Sequence, residues 1–165
     1  MIEAYTSAAL LMDVRTLARL CKQSRSQDEI ASLARAAILV GGSAMEALLL
    51  EAAYVKKREL YEDKKFRQYF GVADKFEALM GKKLSSICPD AAELWEQRNA
   101  LGHSEPDNER TRFVGTRIDA EGAKWVSQTL DKFMVIVWER DMPAWFAHTT
   151  GLERPHNASQ QKGAN

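Results

Sequence analysis

Three side chains in the stretch Glu96–Asn108, "EQRNALGHSEPDN", have the types and spacing to act on a phosphodiester: Arg98, Asn99 and His103. An arginine offers a fork of N–H donors that matches two phosphate oxygens and stays charged. A histidine transfers protons near neutral pH. An asparagine between them can fix the imidazole tautomer or hold a phosphate oxygen. Asn99 and His103 are four residues apart, and so are neighbours on one helix face, with Arg98 one step aside. A lone histidine at a helix C-terminus has a plainer role, as a partner of the helix dipole.

The element that must carry these groups is a helix, "PDAAELWEQRNALG", with Pro89 suited to its first turn. On a wheel of about 100° per residue, Ala91, Leu94, Trp95 and Leu101 form an apolar stripe with Arg98 in its middle. A guanidinium there needs a carboxylate partner, a wet cleft or an incoming anion, because burying it unpaired is costly. Glu46, alone in an apolar stretch, is a candidate carboxylate, either locking Arg98 in an ion pair or supporting its chemistry. Gly102 suits the left-handed position that ends a helix and bends the chain, which would turn His103 back toward Arg98.

Elsewhere the pattern is also helical. Residues 8–22 place Leu10, Leu11, Val14, Leu17, Ala18 and Cys21 on one stripe. Ser26 with Glu29 forms a capping-box pattern that starts a second helix, expected from Asp28 to Glu59. Its middle, "AAILVGGSAMEALLL", is apolar all round except for Ser43 and Glu46, as in a buried central helix. The run is too short and too interrupted to suggest a membrane span, and its small residues Gly41, Gly42, Ser43 and Ala44 would admit a close neighbour. "GVADKFEALMGKKL" predicts a short helix with Gly81 near its end. Asp119 is a candidate N-cap for a last long helix over about Ala120 to Ala147. Residues 104–118 form a polar loop, with a little extended structure expected around Arg112 to Ile118. The tail from Gly151 lacks apolar pattern and is expected to be disordered. The whole predicts an all-α, up-and-down bundle of four or five helices over residues 1–150.

The chain has 165 residues, about one domain. Its formal net charge is zero, with 23 basic and 23 acidic residues, so bulk charge cannot drive nucleic-acid binding. Between Lys56 and Lys83, however, nine basic residues face five acids, interleaved with Tyr54, Tyr61, Phe66, Tyr69, Phe70 and Phe76. That mixture can bind RNA, although aromatics in the core beneath a solvated lysine face explain it more simply. Cys21 and Cys88 lack paired spacing and are expected to be reduced thiols. The histidines are His103, His148 and His156, too scattered for a metal site. The N-terminus has no basic segment of a signal peptide. Together these predict a cytoplasmic protein without cofactor, metal or membrane contact.

"RNALGH" resembles the R-x4-6-H signature of the HEPN domain family, and the small and apolar "GGSAMEALLLEA" around one glutamate resembles the second long helix of that family. The resemblance spans roughly residues 5 to 147. It implies a metal-independent endoribonuclease acting as a homodimer, in which two motifs face each other in one composite cleft and the RNA 2′-OH attacks the phosphate. By position Arg98 would bind the scissile phosphate, His103 would act as general acid or base, and Asn99 would support them. Arg110, Arg112 and Arg117 would flank the cleft and hold the RNA backbone. Many bacterial relatives are toxins paired with a separately encoded antitoxin, or effectors of phage defence. Two other readings stay open: a HEPN module that binds RNA or nucleotide or dimerises without cutting, and a helical scaffold in which Arg98 pairs with Glu46.

Overall fold

The computed structural model describes residues 6–102 and 117–153. Among these the chain is all-helical, with no strand. Helices α1 (Thr6–Gln23) and α2 (Gln27–Lys56) form an antiparallel hairpin: Cys21 Sγ meets the Ile30 carbonyl 3.4 Å away at one end, and the Ser7 amide donates to Glu51 Oε1 at 3.0 Å at the other. The turn between them is set by Ser26, whose hydroxyl accepts from the Glu29 amide at 3.3 Å. The reciprocal half of the capping box is not formed. The Glu29 carboxylate takes the Ser24 hydroxyl, and Ser24 Oγ accepts from the Ser26 amide at 3.2 Å.

Helix α2 is the central element, packed against α1 on one side and the later helices on another. It ends at Lys56, three residues before the expected Glu59, because Lys57 leaves helical geometry (φ −144°, ψ 73°) and sends its Nζ to the Leu79 carbonyl. By length and composition alone α2 is apolar enough to cross a membrane, as the core helix of a soluble protein also is, and half of its most apolar window is buried in the fold. Short helices follow: α3 (Arg58–Glu62), α4 (Lys64–Gln68), α5 (Val72–Met80) and α6 (Leu84–Ile87). Asp63 caps α4 through the Lys65 amide at 2.8 Å, and Gly81 ends α5 in the left-handed region at φ 70°.

The remaining frame is α7 (Pro89–Gly102), α8 (Ala120–Trp138) and α9 (Ala144–Thr150). Asp119 caps α8 as expected, accepting from the Gly122 amide at 2.6 Å. The long last helix does not reach Ala147. It stops at Trp138, where Glu139 adopts φ 50°, and a 3-10 turn (Glu139–Asp141) leads to Pro143, which starts α9. Proline cannot continue a helix from within, since it lacks the N–H and clashes with the preceding turn. Arg15 of α1 ties these pieces together, with Nη2 2.9 Å from Asp131 Oδ1 on α8 and Nη1 2.5 Å from the Thr150 carbonyl on α9.

The four long helices, α1, α2, α7 and α8, alternate in direction along the chain. Gly41 meets Val126 and Lys56 meets Val137, so α2 and α8 run together. Asp90 approaches Lys132 while Glu93 meets Arg117, so α7 runs against α8. The core between them holds Leu48, Leu49, Leu94, Val126, Phe133 and Trp138, all buried. Phe76 packs on Phe133 with ring centroids 5.9 Å apart, and Trp138 packs on Phe146 at 5.6 Å. Cys21 and Cys88 are buried free thiols. Burial pushes both thiol pKa values up, with lesser contributions from Asp119 at Cys21 and Asp90 at Cys88.

Candidate functional site

Helix α7 is pinned to the core by Ala91 and Leu94, and its buried face continues round to Gln97 and Ala100. Arg98 and Trp95 therefore lie on the flank of that face, half-buried, and not at its centre as the wheel implied. The aliphatic stem of Arg98 crosses α2 at Gly42. A Cβ on residue 42 would fall 2.4 Å from Arg98 Cγ and 2.9 Å from its Cβ. The guanidinium carbon sits 5.0 Å from the Trp95 ring centroid, and Nη1 donates to Asn99 Oδ1 at 3.2 Å. Among the described residues no carboxylate lies within 4.0 Å of the guanidinium.

Glu46 does not pair with Arg98. One turn beyond Gly42 on α2, its Oε1 accepts from Lys75 Nζ at 3.0 Å. Lys75 is 1% exposed, and its Nζ also donates to the Phe70 carbonyl at 2.5 Å. The carboxylate keeps a wet side, with the Glu46 side chain 39% exposed. Composition alone places Lys75 among solvated lysines, yet it stands on the apolar side of α5 with Val72, Phe76 and Leu79. That spacing is the signal by which it could have been found. The Trp95 indole nitrogen lies near Gly71, 3.9 Å from where a Cβ there would stand.

The expected backbone-holding arginines divide. Arg117 is engaged within the chain: its Nε donates to Glu93 Oε1 at 3.2 Å, its Nη2 lies 3.1 Å from the same oxygen, and its guanidinium stacks 4.3 Å over Trp125. His103, Arg110 and Arg112 lie outside the described residues, as do His156, the tail from residue 154 and nearly all of the stretch expected to be extended. Gly102 is the last residue of α7 and does not enter the left-handed region. Gln97, not anticipated from the sequence, is fully buried and donates from Nε2 to Glu93 Oε1 at 3.0 Å. It belongs to the same network as Arg117.

The basic and aromatic segment also splits. Phe66 and Phe76 are core residues, as the simpler reading expected. Tyr54 and Tyr61 meet edge to face at 5.1 Å, with Arg58 4.0 Å above the Tyr54 ring. Among the described residues, no three His, Cys, Asp or Glu side chains gather in a way that could hold a metal ion. Chemically, the site offers a half-buried guanidinium oriented by an amide, a tryptophan face and a carboxylate already neutralised by a buried ammonium. Of these charges, Arg98 and Lys75 against Glu46 leave one positive charge facing outward. Comparison with protein-family models, with curated proteins and with solved structures finds no match for the chain.

Proposed function

We propose that this chain is a metal-independent endoribonuclease of the HEPN type, with the alternating long helices forming a HEPN-like up-and-down bundle. The observation that carries the reading is the half-buried Arg98 guanidinium, joined to Asn99, unpaired with any carboxylate among the described residues, at the end of the helix that leads into His103. A permanent cation held that way is suited to the two non-bridging oxygens of a phosphodiester. In the proposed reaction the RNA 2′-oxygen attacks phosphorus and loses its proton to a base. The P–O5′ bond breaks, the 5′-oxygen takes a proton from an acid, and a 2′,3′-cyclic phosphate remains. His103 is the proton-transfer group and Asn99 holds Arg98 in place.

A homodimer would supply a second copy of the motif to one composite cleft. Supporting this, the face of α2 that adjoins Gly42 and Glu46 carries partly exposed apolar side chains, with Leu39 41% exposed and Ala47 and Leu50 half-buried. A cytoplasmic toxin with a separately encoded antitoxin, or a phage-defence effector, is the setting we favour. The test is cleavage of RNA by purified protein in EDTA, with Arg98→Ala and His103→Ala alongside. Loss of cleavage in both, with dimerisation and helicity kept, is expected. Full cleavage by either variant would overturn the reading, and RNA binding without cleavage by the wild type would replace it with a non-catalytic binding module.

A further inference from the structure

We propose that Lys75 is a positioning residue: by binding Glu46 it keeps that carboxylate off Arg98 and so leaves the guanidinium free for a phosphodiester oxygen. The inference rests on the reading of Arg98 as the phosphate-binding group. Three relationships carry it. Glu46 lies one helical turn from Gly42, the residue over which the Arg98 stem passes, so its side chain leaves the same face of α2 that Arg98 crosses. Glu46 Oε1 nevertheless accepts from Lys75 Nζ at 3.0 Å, and no carboxylate among the described residues is within 4.0 Å of Arg98. Lys75 is also held in one place, being 1% exposed with its Nζ on the Phe70 carbonyl.

A buried ammonium is costly unless it is paired and hydrogen-bonded. A helix-to-helix brace between α5 and α2 would need no charge at this point, because an apolar residue of the same size packs as well or better. What the charge adds is neutralisation of the one carboxylate on α2 that stands beside the Arg98 site. Without Lys75, Glu46 loses that partner one helical turn from the point where Arg98 crosses α2, and an arginine–carboxylate fork there would compete with any phosphate.

The test uses a single-stranded RNA oligonucleotide and anisotropy titrations, with all variants in a His103→Ala background so that the RNA stays intact. Lys75→Met is expected to weaken binding by at least about tenfold, the scale of one lost charge-assisted contact. Glu46→Gln in the same molecule is expected to restore it to within about twofold of Glu46→Gln alone, for which no such loss is expected. A purely structural lysine would leave the double variant as weak as the single one, and that result, or unchanged binding by Lys75→Met, would overturn the proposal. Should Lys75→Met fail to fold, Lys75→Met/Glu46→Leu replaces the pair by packed apolar groups. Binding near that of the parent supports the proposal, and a tenfold loss in that folded protein rejects it. Arg98→Ala is the separate arm: unchanged RNA binding there removes the phosphate reading itself, whatever the Lys75 variants do.

Discussion

The Arg98 side chain occupies the space that a side chain at residue 42 would need: a Cβ on Gly42 would stand 2.4 Å from Arg98 Cγ and 3.2 Å from Cδ. The glycine lies in the middle of a 30-residue helix, where alanine is ordinarily preferred by about 1 kcal/mol. Its value is therefore clearance, and what it clears is the path of one guanidinium.

Gly42→Ala tests that relationship. The added methyl should push the Arg98 stem aside and, because Arg98 Cβ at 2.9 Å is fixed to the α7 backbone, move α7 off α2. An overpacking cost of about 1–3 kcal/mol against about 1 kcal/mol of helix propensity should lower the melting temperature modestly. On the proposed function, RNA cleavage should fall by about 100-fold, the scale of a 1 Å misplacement at a reacting site. A variant that melts as before and cuts as before would show that the position of Arg98 over Gly42 is irrelevant to activity.

Asn99→Asp places a carboxylate where Oδ1 now accepts from Arg98 Nη1 at 3.2 Å. The resulting ion pair on a half-exposed surface should change stability by about 0–1 kcal/mol. It should nevertheless occupy the guanidinium and reduce RNA cleavage by at least about tenfold. Comparison with Asn99→Ala separates a lost acceptor from a gained competitor, and equal activity of Asn99→Asp and wild type would argue against phosphate binding on that side of Arg98.

The start of α8 is a rigid corner. A Cβ on Gly122 would lie 1.8 Å from the Arg117 carbonyl oxygen, a backbone atom that cannot swing away. Gly122→Ala should lower stability by about 1–3 kcal/mol, and Asp119→Ala, which removes the cap on the Gly122 amide, by about 1 kcal/mol. Urea denaturation midpoints would measure both. A smaller loss for Gly122→Ala than for Asp119→Ala would mean that the corner relaxes.

Glu51 makes stability depend on pH. Burial raises its carboxyl pKa, opposed in part by hydrogen bonds from Ser7 and the Thr6 backbone. With the folded pKa above the unfolded one, the native state binds the proton more tightly. The contribution is fully present below the ordinary carboxyl pKa of about 4.3 and is lost as pH rises through the folded value. The stability of Glu51→Gln relative to wild type should accordingly improve between about pH 4 and pH 7. Parallel urea curves at the two pH values would detect it, and a shift in the opposite direction would contradict the burial.

How far the sequence discloses this molecule depends on whether a signal is local. Ser26, Asp119 and Gly81 act within one turn, and each sits where its residue type predicts. Pro143 is an equally local stop signal, and the apolar stripe that predicts a helix through Ala147 runs straight across it. The burial of Lys75 could be read from its place on the apolar side of α5, but its pairing with Glu46, 29 residues away on α2, and the pairing of Glu93 with Arg117, 24 residues away, could not, because no wheel of a single helix contains those partners. Arg98 is the intermediate case. Its unusual position was visible on the wheel, but the true centre of the buried face was not, because the core reaches round to Ala100.

Helix α9 has seven residues, yet Phe146 packs edge to face with Trp138, and the Thr150 carbonyl is one of the acceptors of Arg15. It works as a stopper in the mouth of the bundle formed by α1 and α8. A single peptide cut near Met142 or Pro143 would release it, uncover the largest aromatic side chain of the interior and strip Arg15 of a partner. A cut at this one short joint would therefore cost the core more than its length suggests, and shortening the chain ahead of Ala144 should yield an aggregating protein instead of a smaller working one.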